Sequence, residues 1–278
     1  MLRRFAMLAA LLTVLAPVAS AQTVDEVVAK YIQGRGGIEK IKAVNSIRVT
    51  GKMIMGGGSM EAPFVQVRRR PSDSRVEFTI QGLTGLQVFD GKTGTAWSVM
   101  PFMGKKDPEA SPAEETKLMA EDADFDGPLV DWKDKGNQLE LVGKEQVEGA
   151  DAWKLKLTRK SGNVDYLYLD TETGLEVKSE SKRTVRGQEV EAETMLSDYK
   201  EVEGIELPFT VVTGMKGAPA EQRPKMVMDK VELNVPVADS LFAMPPTAAR
   251  PDSTKTGAVV DTAKAVQKPA VKPAGKKK

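Results

Sequence analysis

The stretch DAWKLKLTR, residues 151–159, sets Trp153, Leu155 and Leu157 at alternate positions with Lys154, Lys156 and Thr158 between them. A period of two puts the apolar side chains on one face of an extended strand and the polar ones on the other. The pattern recurs along the chain. It reads in SIRVTGKMIM, MEAPFVQVRRRP, SRVEFTI, GLQVFD and GTAWSVM, and later in NQLELVGKEQV, NVDYLYLD, LEVKSESKRTV, QEVEAETMLSDY, IELPFTVVTGM and PKMVMDKVELNV. Turn signals punctuate these runs at Gly56-Gly57-Gly58, Gly91, Glu148-Gly149 and Thr173-Gly174. About 11 or 12 short strands at roughly 8–12-residue spacing are the mark of an all-β sheet or barrel.

A long antiparallel sheet that is apolar on one face curls and needs a cover. Helical material is scarce. Thr23 and Glu26 form a capping box ahead of an apolar stripe at Val27, Val28, Tyr31 and Ile32, and IEKIKAV follows as a second short helix. A polar segment over 112–122 is the other helical candidate. The glycines at 34, 36 and 37 suit a helix C-cap, since no strand precedes them and no Lys-Ser/Thr closes a phosphate loop. The expected fold is mainly β, of the α+β kind: a curved antiparallel half-barrel of about 11 strands. N-terminal and inserted helices cover its concave face and leave an apolar pocket beneath them.

The ends differ from the body. Arg3 and Arg4, an apolar run over 5–18 and Ala19-Ser20-Ala21 read as a signal peptide occupying 1–21. A run this short falls below the roughly 20 residues that span a bilayer. Residues 247–278 carry eight Lys/Arg against two Asp and little apolar material, so they read as a disordered basic Ala/Pro/Lys-rich tail. With the whole chain at +1, the 22–246 body is acidic, near −7. An acidic body argues against a nucleic-acid partner.

The sequence contains neither cysteine nor histidine. That removes disulfides, Ser-His-Asp and Cys-His catalysis and the usual zinc sites. No catalytic residue, metal or cofactor is expected. DADFDG, residues 122–127, opens like a calcium loop, but Lys133 stands where the bidentate glutamate belongs. It reads as a polar helix-to-strand connector. The pairs Glu201/Glu203 and Glu189/Glu191 lie beside turns in charged surroundings, where they stay solvated and ionised.

The methionines are more informative, because a flexible, polarizable side chain suits an adaptable apolar surface as well as an ordinary core. Met53 and Met55 lie on the first strand. In WSVMPFMG, Trp97 and Val99 share a strand face, and Pro101 then releases Phe102 and Met103 into a loop. With Trp153 and Phe209 these are the candidates for the cavity and its mouth.

The stretches RRRPSDSRVEF (68–78) and QVFDGKTGTAWSVMP (87–101) resemble the LolA/LolB superfamily, in its branch of proteins similar to outer-membrane lipoprotein-sorting proteins. The order of motifs from DFDGPLVDWKDKGNQLELVGKEQVEGADAWKLKLT to VELNVPVADSLFAMP extends the resemblance over 24–246. It implies an open half-barrel with a helical lid that holds acyl chains. It further implies an arginine before the strand-ending proline that bonds to the lid: Arg70, with Arg68 and Arg69 as alternatives in the same run. The function implied is a soluble, monomeric periplasmic carrier of lipidated protein or other lipid, dealing with inner- or outer-membrane transfer proteins. A sensor or envelope interaction module on the same fold is the alternative.

Overall fold

Alternating sequence becomes one antiparallel sheet of 13 strands, curved and unclosed. The computed structural model describes residues 22–246 apart from Arg186, and both the expected signal peptide (1–21) and the expected disordered tail (247–278) lie outside the described residues. Two meanders build the sheet. The first comprises β1 (Ser46–Met55), β2 (Met60–Arg69), β3 (Asp73–Ile80), β4 (Leu83–Asp90), β5 (Thr95–Met100) and β6 (Lys105–Ala110). The second comprises β7 (Gln138–Val147), β8 (Ala150–Thr158), β9 (Val164–Asp170), β10 (Glu176–Val185), β11 (Gln188–Val202), β12 (Ile205–Met215) and β13 (Lys225–Leu233). Every pairing is between sequence neighbours except that of β1 with β13, which closes the middle and leaves β6 and β7 as the two edges. The strand additional to those expected is β6, KKDPEA, whose charges and proline hide its period but suit an edge that must not recruit another chain.

This order dictates the cover. The chain leaves β6 at one edge and enters β7 at the other, so residues 111–137 must cross the sheet. That crossing carries α3 (Ala113–Asp122) and then buries Phe125, Leu129 and Val130 against the N-terminal helices and the sheet. The helix α1 (Val24–Gly34) opens with the Thr23–Glu26 capping box and packs Val27, Val28 and Tyr31 onto Trp153, Leu155, Leu157, Leu167 and Leu169 of β8 and β9. The short α2 (Ile38–Ala43) adds Ile41 to a cluster with Phe125, Val130, Ile205 and Leu233. All three helices lie on one face of the sheet, its inner face.

The glycines after α1 do end that helix. Gly36 and Gly37 take positive φ, and their N–H groups bond to the carbonyls of Gln33 and Ile32. They also permit close docking: a Cβ on Gly36 would stand 2.1 Å from the Gly204 carbonyl oxygen.

The outer face has its own cover. Trp97, Val88 and Phe242 form a cluster there, and the indole N–H of Trp97 donates to the Phe242 carbonyl at 2.8 Å. The chain after β13 thus returns across the first meander and is pinned by a buried tryptophan.

Candidate functional site

Register places the inner-face residues in rows. One row runs Ser74–Arg68–Ile47–Leu233 and the next Val76–Gln66–Val49–Val231, across β3, β2, β1 and β13. A third runs Gly85–Phe78–Phe64–Gly51–Met228. In that third row the two glycines make room for rings: a Cβ on Gly51 would meet Phe64 at 2.9 Å, and one on Gly85 would meet Phe102 at 2.7 Å.

Between the first two rows and α1 lies a hollow of about 220 Å³. Its aliphatic wall comes from Ile47, Val49, Leu196, Leu207, Met228 and Val231. Tyr31, Arg35, Gln66, Arg68, Glu176 and Tyr199 supply polar atoms. A left-handed residue in β11, Asp198 (φ 55), twists the strand between Leu196 and Tyr199, and both side chains reach the hollow. A second hollow of about 180 Å³ under α3 shares Gln66 as a wall, with Phe89, Met119 and Asp122 beside it. A larger depression of about 530 Å³ beside α3 is lined chiefly by Glu121, Asp124, Lys135, Arg159 and Lys160. Two of its cations are held by carboxylates, Lys135 by Asp124 at 2.7 Å and Arg159 by Asp165 at 2.7 Å, so it is a polar surface cleft.

The polar side of the 220 Å³ hollow is unusual. Arg35 donates to the Tyr31 hydroxyl at 3.0 Å and lies 5.7 Å from that ring. The Tyr31 side chain favours the charged guanidinium and holds it above its ordinary range, despite burial. Arg68 donates to the backbone carbonyls of Asp122 and Asp124 at 3.2 and 2.8 Å, and burial lowers its pKa. Burial pushes the Glu176 carboxyl up to about 7, against the Ser179 hydroxyl bonded to it and the positive field of Arg35. Atoms surround Glu176 densely, yet the side chain keeps partial accessibility because it faces unfilled space. The Tyr199 hydroxyl donates to the Glu176 backbone carbonyl at 2.6 Å; burial first, and then the Glu176 charge, raise its pKa.

The arginine run divides as a strand must. Arg69 turns to the outer side, bonding Asp73 at 2.6 Å and Asp239 at 2.6 Å over the Phe242 ring. Arg70 reaches the helices. It donates to the carbonyls of Ile41 and Val44 at 3.0 and 2.9 Å, pairs with Asp126 at 2.6 Å, and lies 4.8 Å from the Phe125 ring. Lys42 also meets Asp126, at 2.7 Å. Burial works against ionisation of Asp126, but the bonds from Arg70 and Lys42 prevail and hold its pKa below the usual carboxylate value. The acidic connector is therefore occupied by the chain's own cations, with Asp124 on Lys135, Asp126 on Arg70 and Lys42, and Lys133 on Asp25.

The sequence candidates scatter over the sheet. Met53 and Met55 share the inner face with Ile47 and Val49 but lie past the Phe64 ring, opposite Met226 and Met60. Phe102 joins the aromatic row, 5.5 Å from Phe78, while Met103 is 69% exposed. Trp97 and Val99 sit on the outer face beneath the C-terminal segment. Trp153 is buried under α1 with Lys30 5.5 Å from its ring, and Phe209 is buried with Lys200 4.5 Å from its ring. The wall of the 220 Å³ hollow is made by other residues. Arg35 and Glu176 gave no sequence signal. The period of two does separate Arg68 from Arg69.

No family model matches the sequence, and no curated protein matches it. Solved structures do. A DUF1329 family protein from Desulfovibrio piger superposes with a TM-score of 0.55 at 13% identity, covering 79% of this chain and 97% of that one. A LolA superfamily protein from Nitrosomonas europaea superposes with a TM-score of 0.54 at 13% identity, covering 80% and 98%. The likeness at this identity is one of fold: the chain has the LolA-like fold.

Proposed function

We propose that this chain, built on the LolA-like fold, is a periplasmic carrier that shelters the acyl part of a lipidated protein or other lipid between α1 and the sheet. The observation that carries the reading is the hollow itself, aliphatic side chains of four strands facing unfilled space beneath a helix. Interiors are close-packed, so unfilled space beside an aliphatic wall is an exception, and a chain inserted there displaces water from that wall.

Size limits what enters in this arrangement. At about 30 Å³ per water-sized group, 220 Å³ holds roughly seven. Seven methylenes at about 0.8 kcal/mol each contribute roughly 6 kcal/mol. Association itself costs about 4–15 kcal/mol, so a firmly held cargo needs more room than the present hollow offers. The cover must therefore move. Arg70 is the strut we assign to that movement, because its one guanidinium ties the end of β2 to the last carbonyls of α2 and to the crossing segment at Asp126. α1 is fastened separately by Val27 and Val28, so releasing Arg70 loosens α2 and the crossing first.

Native mass spectrometry of protein produced with its leader and purified from the periplasm without detergent tests the proposal. The expected result is added mass that solvent extraction identifies as lipid or acylated peptide. Bare polypeptide that also takes up no fluorescent acyl probe overturns it.

A further inference from the structure

The hollow contains two arginines that the fold has left without a carboxylate. Six other arginines, Arg69, Arg70, Arg75, Arg159, Arg183 and Arg223, each meet an aspartate or glutamate. Among the described residues Arg35, Arg68 and the exposed Arg48 form no such pair; a tyrosine hydroxyl and two backbone carbonyls are the hydrogen-bond acceptors of Arg35 and Arg68. Both reach the same end of the hollow. Arg68 is the cross-strand neighbour of Ile47 and lies 5.8 Å from the Phe125 ring, and Arg35 borders a small recess lined by those same two residues. Unpaired cations inside a protein are costly, and neighbouring like charges add to the cost.

The carboxylates that act on them do so without an ion pair, Asp124, Asp122 and Asp126 on Arg68 and Glu176 on Arg35. Glu176 is the one carboxylate lining the hollow, and burial leaves it only part-ionised near pH 7. Tyr199 is occupied with a backbone carbonyl. The rest of the wall is chiefly aliphatic, with Tyr31 and Gln66 as further polar neighbours. Its volume takes the first seven or so groups of one slender chain, the rest of a longer tail using the room made when the cover moves. Two fork-shaped donors beside an aliphatic slot match an anion carried on a hydrocarbon tail.

We propose that the hollow recognises a single-chain acidic amphiphile, its carboxylate or phosphate held between Arg35 and Arg68 and its tail along Val49, Leu207, Met228 and Val231. This rests on the reading of the hollow as the lipid site, and it names the class of lipid. A bound anion also competes with the Asp122 and Asp124 carbonyls for Arg68, so occupancy loosens the crossing segment that covers the sheet.

The test is isothermal titration of the full mature chain with four ligands of one tail length: dodecanoate, dodecyl phosphate, dodecanol and dodecyltrimethylammonium. The expected result is that one or both acids bind at least tenfold more tightly than the alcohol, and that the cation binds worst. Whichever acid prevails identifies the headgroup. Arg35→Gln and Arg68→Gln should each erase most of that preference, read as the acid-to-alcohol affinity ratio within each variant so that any general change in the hollow cancels. Arg68→Lys should keep part of the preference, which separates lost charge from lost fold. Equal binding of acid and alcohol overturns the headgroup site and leaves the carrier reading standing. Binding of none of the four overturns both.

Discussion

Replacing Glu176 by glutamine isolates the one carboxylate that the hollow holds out of its ordinary range. In the folded chain this group ionises near 7, against an ordinary 4.5, because burial opposes its charge. The groups acting on it are Ser179 on its own strand, Arg35 at the end of α1, Tyr199 on β11, and Asp165 and Arg159 from β9 and the turn beside it. A raised folded-state pKa means the native protein holds the proton more tightly than the unfolded chain. The stability associated with that proton is fully present below about pH 4.5 and is lost as pH rises through about 7. At 1.36 kcal/mol per tenfold the change is slightly more than about 3 kcal/mol, and water reaching the hollow reduces it to about 2. Urea denaturation of wild type and Glu176→Gln at pH 4.5, 7 and 8.5 reads this directly. The stability of the glutamine variant relative to wild type should rise by about 2 kcal/mol from the lowest pH to the highest. In thermal melts this corresponds to a gap growing by roughly 4–8 °C for a domain of this size. A gap that stays constant with pH would refute the burial of this carboxyl and the account of the hollow built on it.

Other substitutions probe the frame around the hollow. Arg70→Ala strands Asp126 with only Lys42 and frees two α2 carbonyls, so it should cost about 2–4 kcal/mol in urea denaturation, with Arg70→Lys recovering less than half. A loss below 0.5 kcal/mol, on the scale of about zero to one for exposed pairs, would remove Arg70 as a strut. Gly36→Ala drives a methyl into the Gly204 carbonyl and should cost more than about 2 kcal/mol while raising hydrogen exchange in α1. Gly37→Ala has open space around it, but φ 94 and ψ 155 fall in a region kept almost wholly by glycine, so strain without a clash should cost about 1–3 kcal/mol. Trp97→Phe removes the bond to the Phe242 carbonyl and should cost about 1–2 kcal/mol, with faster proteolysis after residue 236 as its specific sign.

Much of this molecule is local and was therefore legible. Alternation, turn glycines, the Thr23–Glu26 cap and the polar helix near 113–122 are properties of neighbouring residues, and the structure forms each where the sequence places it. The charged β6 carries no such local signal, because an edge strand need not alternate. What alternation cannot state is which face turns inward, because a period of two defines two faces without naming either. Trp97 and Trp153 occupy equally regular strands, yet one lies under the C-terminal segment and the other under α1. Nor can it join distant rows. Arg35, Arg68 and Glu176 share one hollow only because β1 pairs with β13, which draws both meanders together beneath a helix that precedes them all. Strand identity was written in neighbouring side chains; the site depended on long-range pairing, which places charges on a common wall regardless of their separation along the chain.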